Sequence, residues 1–280
     1  MTDWTRIGPP LDTRPLYPIE RRALLDVLGS LEPSDWARPT VCPGWDVKDV
    51  AGHVLHCYLR RLSGTRDRHR TLTIGDGEDL PGALARANEV FVVGARSLSP
   101  RVVQELLALA GPQLDAMWRE RDLEATADLD VWWAAPGVPA PVWLDVARDY
   151  TEFWVHQQQV RDAVGRPGGA EPELLHPVVD TFARALPHTL RACAPPVGTA
   201  VELRVSGPAG GAWTVTCLAS GWTLGEEPCR PPAADVELDA DTFWRLATRG
   251  ITPEKAARSA QVGGDRQLGA AILSILSIIR

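Results

Sequence analysis

The sequence is short of lysine: of its 29 basic residues only two, Lys48 and Lys255, are lysines. That scarcity excludes nothing about the fold. It is what a GC-rich genome yields, because arginine codons are mostly GC-rich and lysine codons are not. Apolar runs of about 18 residues are also missing, which excludes a membrane-spanning helix. The opening stretch has no apolar segment after a basic start, so no secretory signal is read there and a cytoplasmic protein is expected. A basic excess is lacking too. The formal net charge is −7, and that balance excludes the electrostatic footprint of a nucleic-acid partner. The five cysteines (Cys42, Cys57, Cys193, Cys217 and Cys229) are odd in number and form no CxxC pair. Neither a disulfide framework nor a zinc knuckle is expected, and reduced thiols are the plain reading.

What is present suits a packed globular protein. The 280 residues are 45% hydrophobic and 23% charged, enough for one large domain or two ordinary ones. Prolines make residues 1–18 an irregular lead-in. From Ile19 the residues Ala23, Leu24, Val27, Leu28 and Leu31 continue one helical stripe. The segment Pro39-Thr-Val-Cys-Pro-Gly-Trp45 reads as a turn-rich loop. Asp46, with Asp49 three residues later, predicts a capping-box-like start for a helix from about Val47 to Leu62. Residues 64–81 read as a polar surface loop, Ala83–Leu98 and Pro100–Arg119 as helices, and 121–141, with three prolines, as a loop. A strong helix is predicted from about Val142 to Val164, ended by Gly165, Pro167, Gly168 and Gly169.

Beyond that break the pattern changes. Pro172–Ala194 reads as a helix, followed by strands at Ala200–Ser206, Ala212–Leu218, Trp222–Leu224 and Val236–Leu238. A helix starting at Asp239–Asp241, a short strand at Ala260–Val262 and a last helix from Arg266 to about Ile279 complete the reading. The expectation is an all-α bundle over residues 1–168 and a small α+β domain over 169–280.

Glu152 and His156 stand one turn apart on the Val142–Val164 helix, among Tyr150, Phe153, Trp154 and Val155. Asp149 and Asp145 continue their stripe. An ionised carboxylate among apolar neighbours is costly unless it is paired or bound to a metal. A histidine from another helix would complete a three-ligand set, as facing helices of a bundle commonly do. His53 and His56, inside the Val47–Leu62 helix, both point toward a bundle face in this reading. Two histidines and one carboxylate leave an open position on a tetrahedral zinc. The same donors form the facial triad of non-haem Fe(II) enzymes. The competing reading is a helix-surface Glu–His pair worth about 0.2–0.5 kcal/mol. His69, among Arg66, Arg68 and Arg70, reads as solvent-exposed, and His176 and His188 as structural.

The stretch from Pro39 through Pro43-Gly44-Trp45-Asp46 to His53 resembles mycothiol-dependent maleylpyruvate isomerase-like proteins, which belong to the DinB-like metal-binding four-helix bundles. The second half, with Ala234–Leu238, Asp241–Leu246 and Gln261–Asp265 before an apolar helix, is similar to that family's small sterol-carrier-like domain. The resemblance implies a divalent metal, zinc foremost, held by His53, Glu152 and His156. It implies mycothiol as the thiol cosubstrate. The metal would lower the thiol's pKa, and the thiolate would add to a small electrophile. Release after rotation about the resulting single bond gives cis–trans isomerisation; retention gives S-transfer. Mycothiol is an actinobacterial thiol, and actinobacterial genomes are GC-rich, in keeping with the arginine bias.

The resemblance also implies a substrate arginine. Arg245, Arg249, Arg258 and Arg266 are candidates, and none is singled out. Cys57 is read either as approaching the metal or as a buried small hydrophobe, and Cys42 as packing. Two other functions stay open: a non-haem Fe(II) enzyme on the same donors, or a metal-stabilised module whose tryptophans bind an apolar ligand.

Overall fold

The computed structural model describes residues 4–225 and 231–277; Cys229 lies outside them, and the last helix, expected to reach about Ile279, already ends at Ile272. The chain forms two compact units. One comprises Thr13–Asp122 and Asp149–Ala170; the other comprises Met1–Asp12, Leu123–Arg148 and Glu171–Ile279.

The first unit is helical. It contains α1 (Tyr17–Gly29), α2 (Val47–Arg61), α3 (Leu80–Ala95), α4 (Pro100–Arg119) and the later part of α5 (Val142–Val164). Each boundary has a local cause. α1 starts at Tyr17, two residues before the apolar stripe, because Pro18 is tolerated in a first turn. The Asp46 side chain accepts from Asp49 N at 2.9 Å and the Asp49 carboxylate accepts in return, so α2 opens on the expected capping box. α3 begins at Leu80, earlier than expected, because Asp79 accepts from Gly82 N. α2 packs on α3 and α4, and α1 on α4. Aromatic edges fill the space between α1, α2 and α5. Phe153 meets Tyr58 at 4.8 Å and Tyr17 at 5.8 Å between ring centres, both T-shaped.

The second unit holds helices and a mixed sheet. Strands β3 (Ala200–Ser206), β4 (Gly211–Leu218), β5 (Gly221–Leu224), β6 (Ala234–Asp239) and β7 (Gln261–Gly264) pair in the order β5-β4-β3-β6-β7. β3 and β6 are parallel and the other pairs antiparallel. Val201, Leu203, Val205, Val236 and Leu238 are buried, and α8 (Ala240–Ala247) packs against β3 and β6. α8 starts where expected, because Asp239 accepts from Thr242 N. α10 (Arg266–Ile272) lies against β6 and β7.

Two expectations are corrected here. Residues 121–141 are not a plain loop: β1 (Thr126–Asp130) and β2 (Pro139–Pro141) form an antiparallel ribbon. The prolines hid it. Each strand of a two-stranded ribbon is an edge, and an edge strand tolerates a residue without an N–H. The helix expected over Pro172–Ala194 is also broken, into α6 (Pro172–Ala183) and α7 (Leu186–Thr189), with Pro187 in the first turn of α7. No described helix is long and apolar enough to cross a membrane.

Candidate metal centre

The loop before α2 is tied to itself. Thr40 N donates to Trp45 O and Trp45 N to Cys42 O, while Gly44 takes a φ of +79° that suits glycine. Arg96, after α3, donates to both Asp49 oxygens, at 3.0 and 2.8 Å, which anchors the start of α2. This start places His53 in the second turn of α2, where it is 2% exposed. The Trp45 ring lies 5.1 Å from the His53 ring. Thr40, Cys42, Trp45, Asp49 and Arg96 line a cavity of about 340 Å³.

His53, Glu152 and His156 converge. One ligand atom of each lies within 4.8 Å of the others, a grouping that can hold a metal ion. His53 Nε2 is 3.1 Å and His156 Nε2 is 3.4 Å from the same oxygen, Glu152 Oε1. The imidazoles meet edge to face at 4.6 Å. His156 is 6% exposed, whereas the Glu152 side chain keeps 21%. The triad is therefore buried on the histidine side and open at the carboxylate.

Neighbours set the protons. Gln159 Oε1 accepts from His156 Nδ1 at 2.7 Å and from Cys42 Sγ at 3.1 Å. An amide oxygen only accepts, so Nδ1 carries a hydrogen and Nε2 is the nitrogen directed at Glu152. Burial would raise the Glu152 pKa, but His156 and His53 hold it well below the usual carboxylate range. Burial would lower both histidines. Cys57 and Glu152 instead lift His53 to about 8, and Cys42 and Glu152 lift His156 well above its ordinary value. The site thus favours a carboxylate next to positive charge, the charge that a divalent cation supplies without protons. The fit is good: two buried imidazole nitrogens and one carboxylate oxygen face one another, with no apolar atom type in the donor set.

The remaining candidates lie elsewhere. His56 faces α3, not the triad. Its Nδ1 contacts Asn88 Oδ1 at 3.1 Å, its ring stacks on Phe91, and burial with Arg60 lowers its pKa to about 4. A three-residue step turns a side chain some 60° around a helix, enough to change neighbours. His69 is exposed and His176 contacts Ala209 O. Cys57 is buried, with its sulfur 3.7 Å from His53 Nε2. In the other unit Asp145 accepts from Arg148, Arg245 pairs with Asp241, and Arg249 donates to the Ser274 and Ile275 carbonyls. Arg258 and Arg266 are exposed. Sequence reasoning overlooked Gln159, although its position three residues after His156 was the available signal.

A family model described as the mycothiol maleylpyruvate isomerase N-terminal domain matches residues 17–161, more than half of the chain. Among solved structures, the chain is similar to a mycothiol-dependent maleylpyruvate isomerase, with 16% identity, a TM-score of 0.56, and 94% of this chain and 96% of that one covered. A histidine-to-alanine mutant of a mycothiol-dependent maleylpyruvate isomerase matches with the same identity and coverage and a TM-score of 0.53. No curated protein matches. The matched span contains α2, the triad and Gln159, and the chain belongs to the mycothiol maleylpyruvate isomerase N-terminal domain family.

Proposed function

We propose that this chain is a divalent-metal enzyme that uses mycothiol on a small electrophile, by isomerising a cis double bond conjugated to a carbonyl or by S-transfer. One observation carries the reading: two buried histidine nitrogens from different helices aim at one oxygen of Glu152. Zinc is the metal we favour. Donors about 2.0–2.1 Å from a tetrahedral zinc stand about 3.3–3.4 Å apart, close to the two contacts here. His53, Glu152 and His156 would hold the cation, which would lower the pKa of a bound thiol enough to make thiolate available at neutral pH.

The chain's own residues do the rest. A divalent cation would take the place of the protons on His53 and His156 Nε2, and Gln159 holds His156 in the tautomer this needs. Glu152 supplies the compensating negative charge, and its partial exposure marks the side from which small molecules arrive. The buried histidine side keeps competing water away. We further propose a DinB-like four-helix bundle and a sterol-carrier-like domain as the architectural classes, with the sequence boundary near residues 168–169 and Leu123–Arg148 grouped with the second unit, and a cytoplasmic location.

The test incubates the purified protein with zinc, mycothiol and a panel of electrophiles including maleylpyruvate. Mass spectrometry and chromatography separate isomerised product from thiol adduct. Turnover is expected only with thiol present, and His156→Ala is expected to lose both the metal and turnover. Turnover without any thiol would refute the reading. Native iron with oxygen uptake would favour the Fe(II) alternative, and absence of thiol binding the non-catalytic one.

A further inference from the structure

The two helices that carry the triad meet a second time. His53, Cys57 and Arg61 share one stripe of α2, and Asp149, Glu152 and His156 share one stripe of α5. Arg61 Nε donates to Asp149 Oδ2 at 2.7 Å and Arg61 Nη2 to Asp149 Oδ1 at 2.9 Å. Both side chains are buried, at 2% and 3% exposure. The guanidinium carbon lies 5.2 Å from the centre of the Trp118 ring, on α4, so a third helix backs the arginine. His53 meets residues 152 and 156 while Arg61 meets residue 149, so α2 and α5 run antiparallel. The ion pair stands about 12 Å along α2 from the histidine.

Such a pair is a poor device for stability. A buried ion pair is often no better than two apolar side chains of the same volume. Its strength is geometric. A forked guanidinium–carboxylate contact is directional as well as short, and a slide of about 2.5 Å between the helices takes both N···O distances out of hydrogen-bond range. The same slide would move His53 away from Glu152 and His156, because all three ride on these helices.

We propose that Arg61 and Asp149 are positioning residues for the metal centre: their buried, forked pair sets the register of α2 against α5, and thereby the spacing of His53 from Glu152 and His156. The proposal rests on reading the triad as a metal site.

The test uses the full chain, with zinc affinity measured by competition against a chromophoric chelator and the site's symmetry by the visible spectrum of the cobalt(II) form. Two variants are compared with the wild type. Arg61→Met combined with Asp149→Leu replaces the pair by apolar side chains. Arg61→Lys keeps the charge but not the fork. The double variant is expected to keep or gain thermal stability while zinc affinity falls about tenfold or more and the cobalt bands shift. Arg61→Lys is expected to lose affinity by a smaller factor at unchanged melting temperature. If either variant folds and keeps wild-type zinc affinity and the wild-type cobalt spectrum, the proposal is overturned. It is also overturned if affinity falls only in step with melting temperature, since that is a structural role. Should the double variant not fold, Arg61→Lys decides alone. A wild type that binds neither cation refutes the metal reading itself, and this proposal with it.

Discussion

Replacing Glu20 by glutamine should make the protein more stable at pH 8 and leave it nearly unchanged at pH 4.5. Glu20 lies on α1 and is 1% exposed. Its Oε1 accepts from Gln157 Nε2 at 3.0 Å, and its Oε2 is buried without a hydrogen-bond partner among the described residues. Burial lifts the carboxyl pKa from 4.5 to about 7, against the opposing pull of Gln157, Arg21 and Arg161. Between those values the folded chain holds a proton that the unfolded chain has released. Stability from this group is therefore fully present below about pH 4.5 and is lost as pH rises to about 7. At about 1.4 kcal/mol per pH unit, the loss is about 3 kcal/mol. Glutamine stays neutral and keeps an oxygen for the Gln157 amide. Urea unfolding of both proteins in parallel from pH 4.5 to 8, with chelator present, isolates the effect, because every other titrating group is common to the two. The difference should grow from near zero to about 3 kcal/mol. A difference that does not change with pH would refute the reasoning.

Other perturbations follow from single contacts. Gln159→Leu removes the acceptor for His156 Nδ1. Zinc affinity should fall about 10–100-fold, measured by chelator competition, with little change in melting temperature. Gly111→Ala places a methyl group against the Arg21 side chain, which forks onto Asp115 between α1 and α4. Thermal unfolding should show a loss of about 1–3 kcal/mol.

Parts of the site can be read from spacing alone. Glu152 and His156 are one turn apart on any helix, so their common face needs no knowledge of the rest of the chain. Asp46 and Asp49 announce the start of α2 because a capping box is satisfied within four residues. Arg61 is different. Eight residues beyond His53, in a chain rich in arginine, it has no local mark that separates it from a solvated charge. Only its partner 88 positions away shows what it does. The ribbon of β1 and β2 escaped for a related reason: its prolines are breakers by local rules and acceptable only once each strand is known to be an edge.

The sequence by itself therefore determined most element types, the capped starts of α2 and α8, and the residues sharing a helical face, because capping and the helical period act over one or two turns. It also carried the family, in the stretch from the Pro43-Gly44-Trp45 turn to His53. The tertiary structure alone decided which faces meet. His53 rather than His56 turns to Glu152, Arg61 finds Asp149, and α5 divides between two compact units at Arg148 and Asp149. Those outcomes depend on how side chains from distant segments fill a common core, and no local window contains that information.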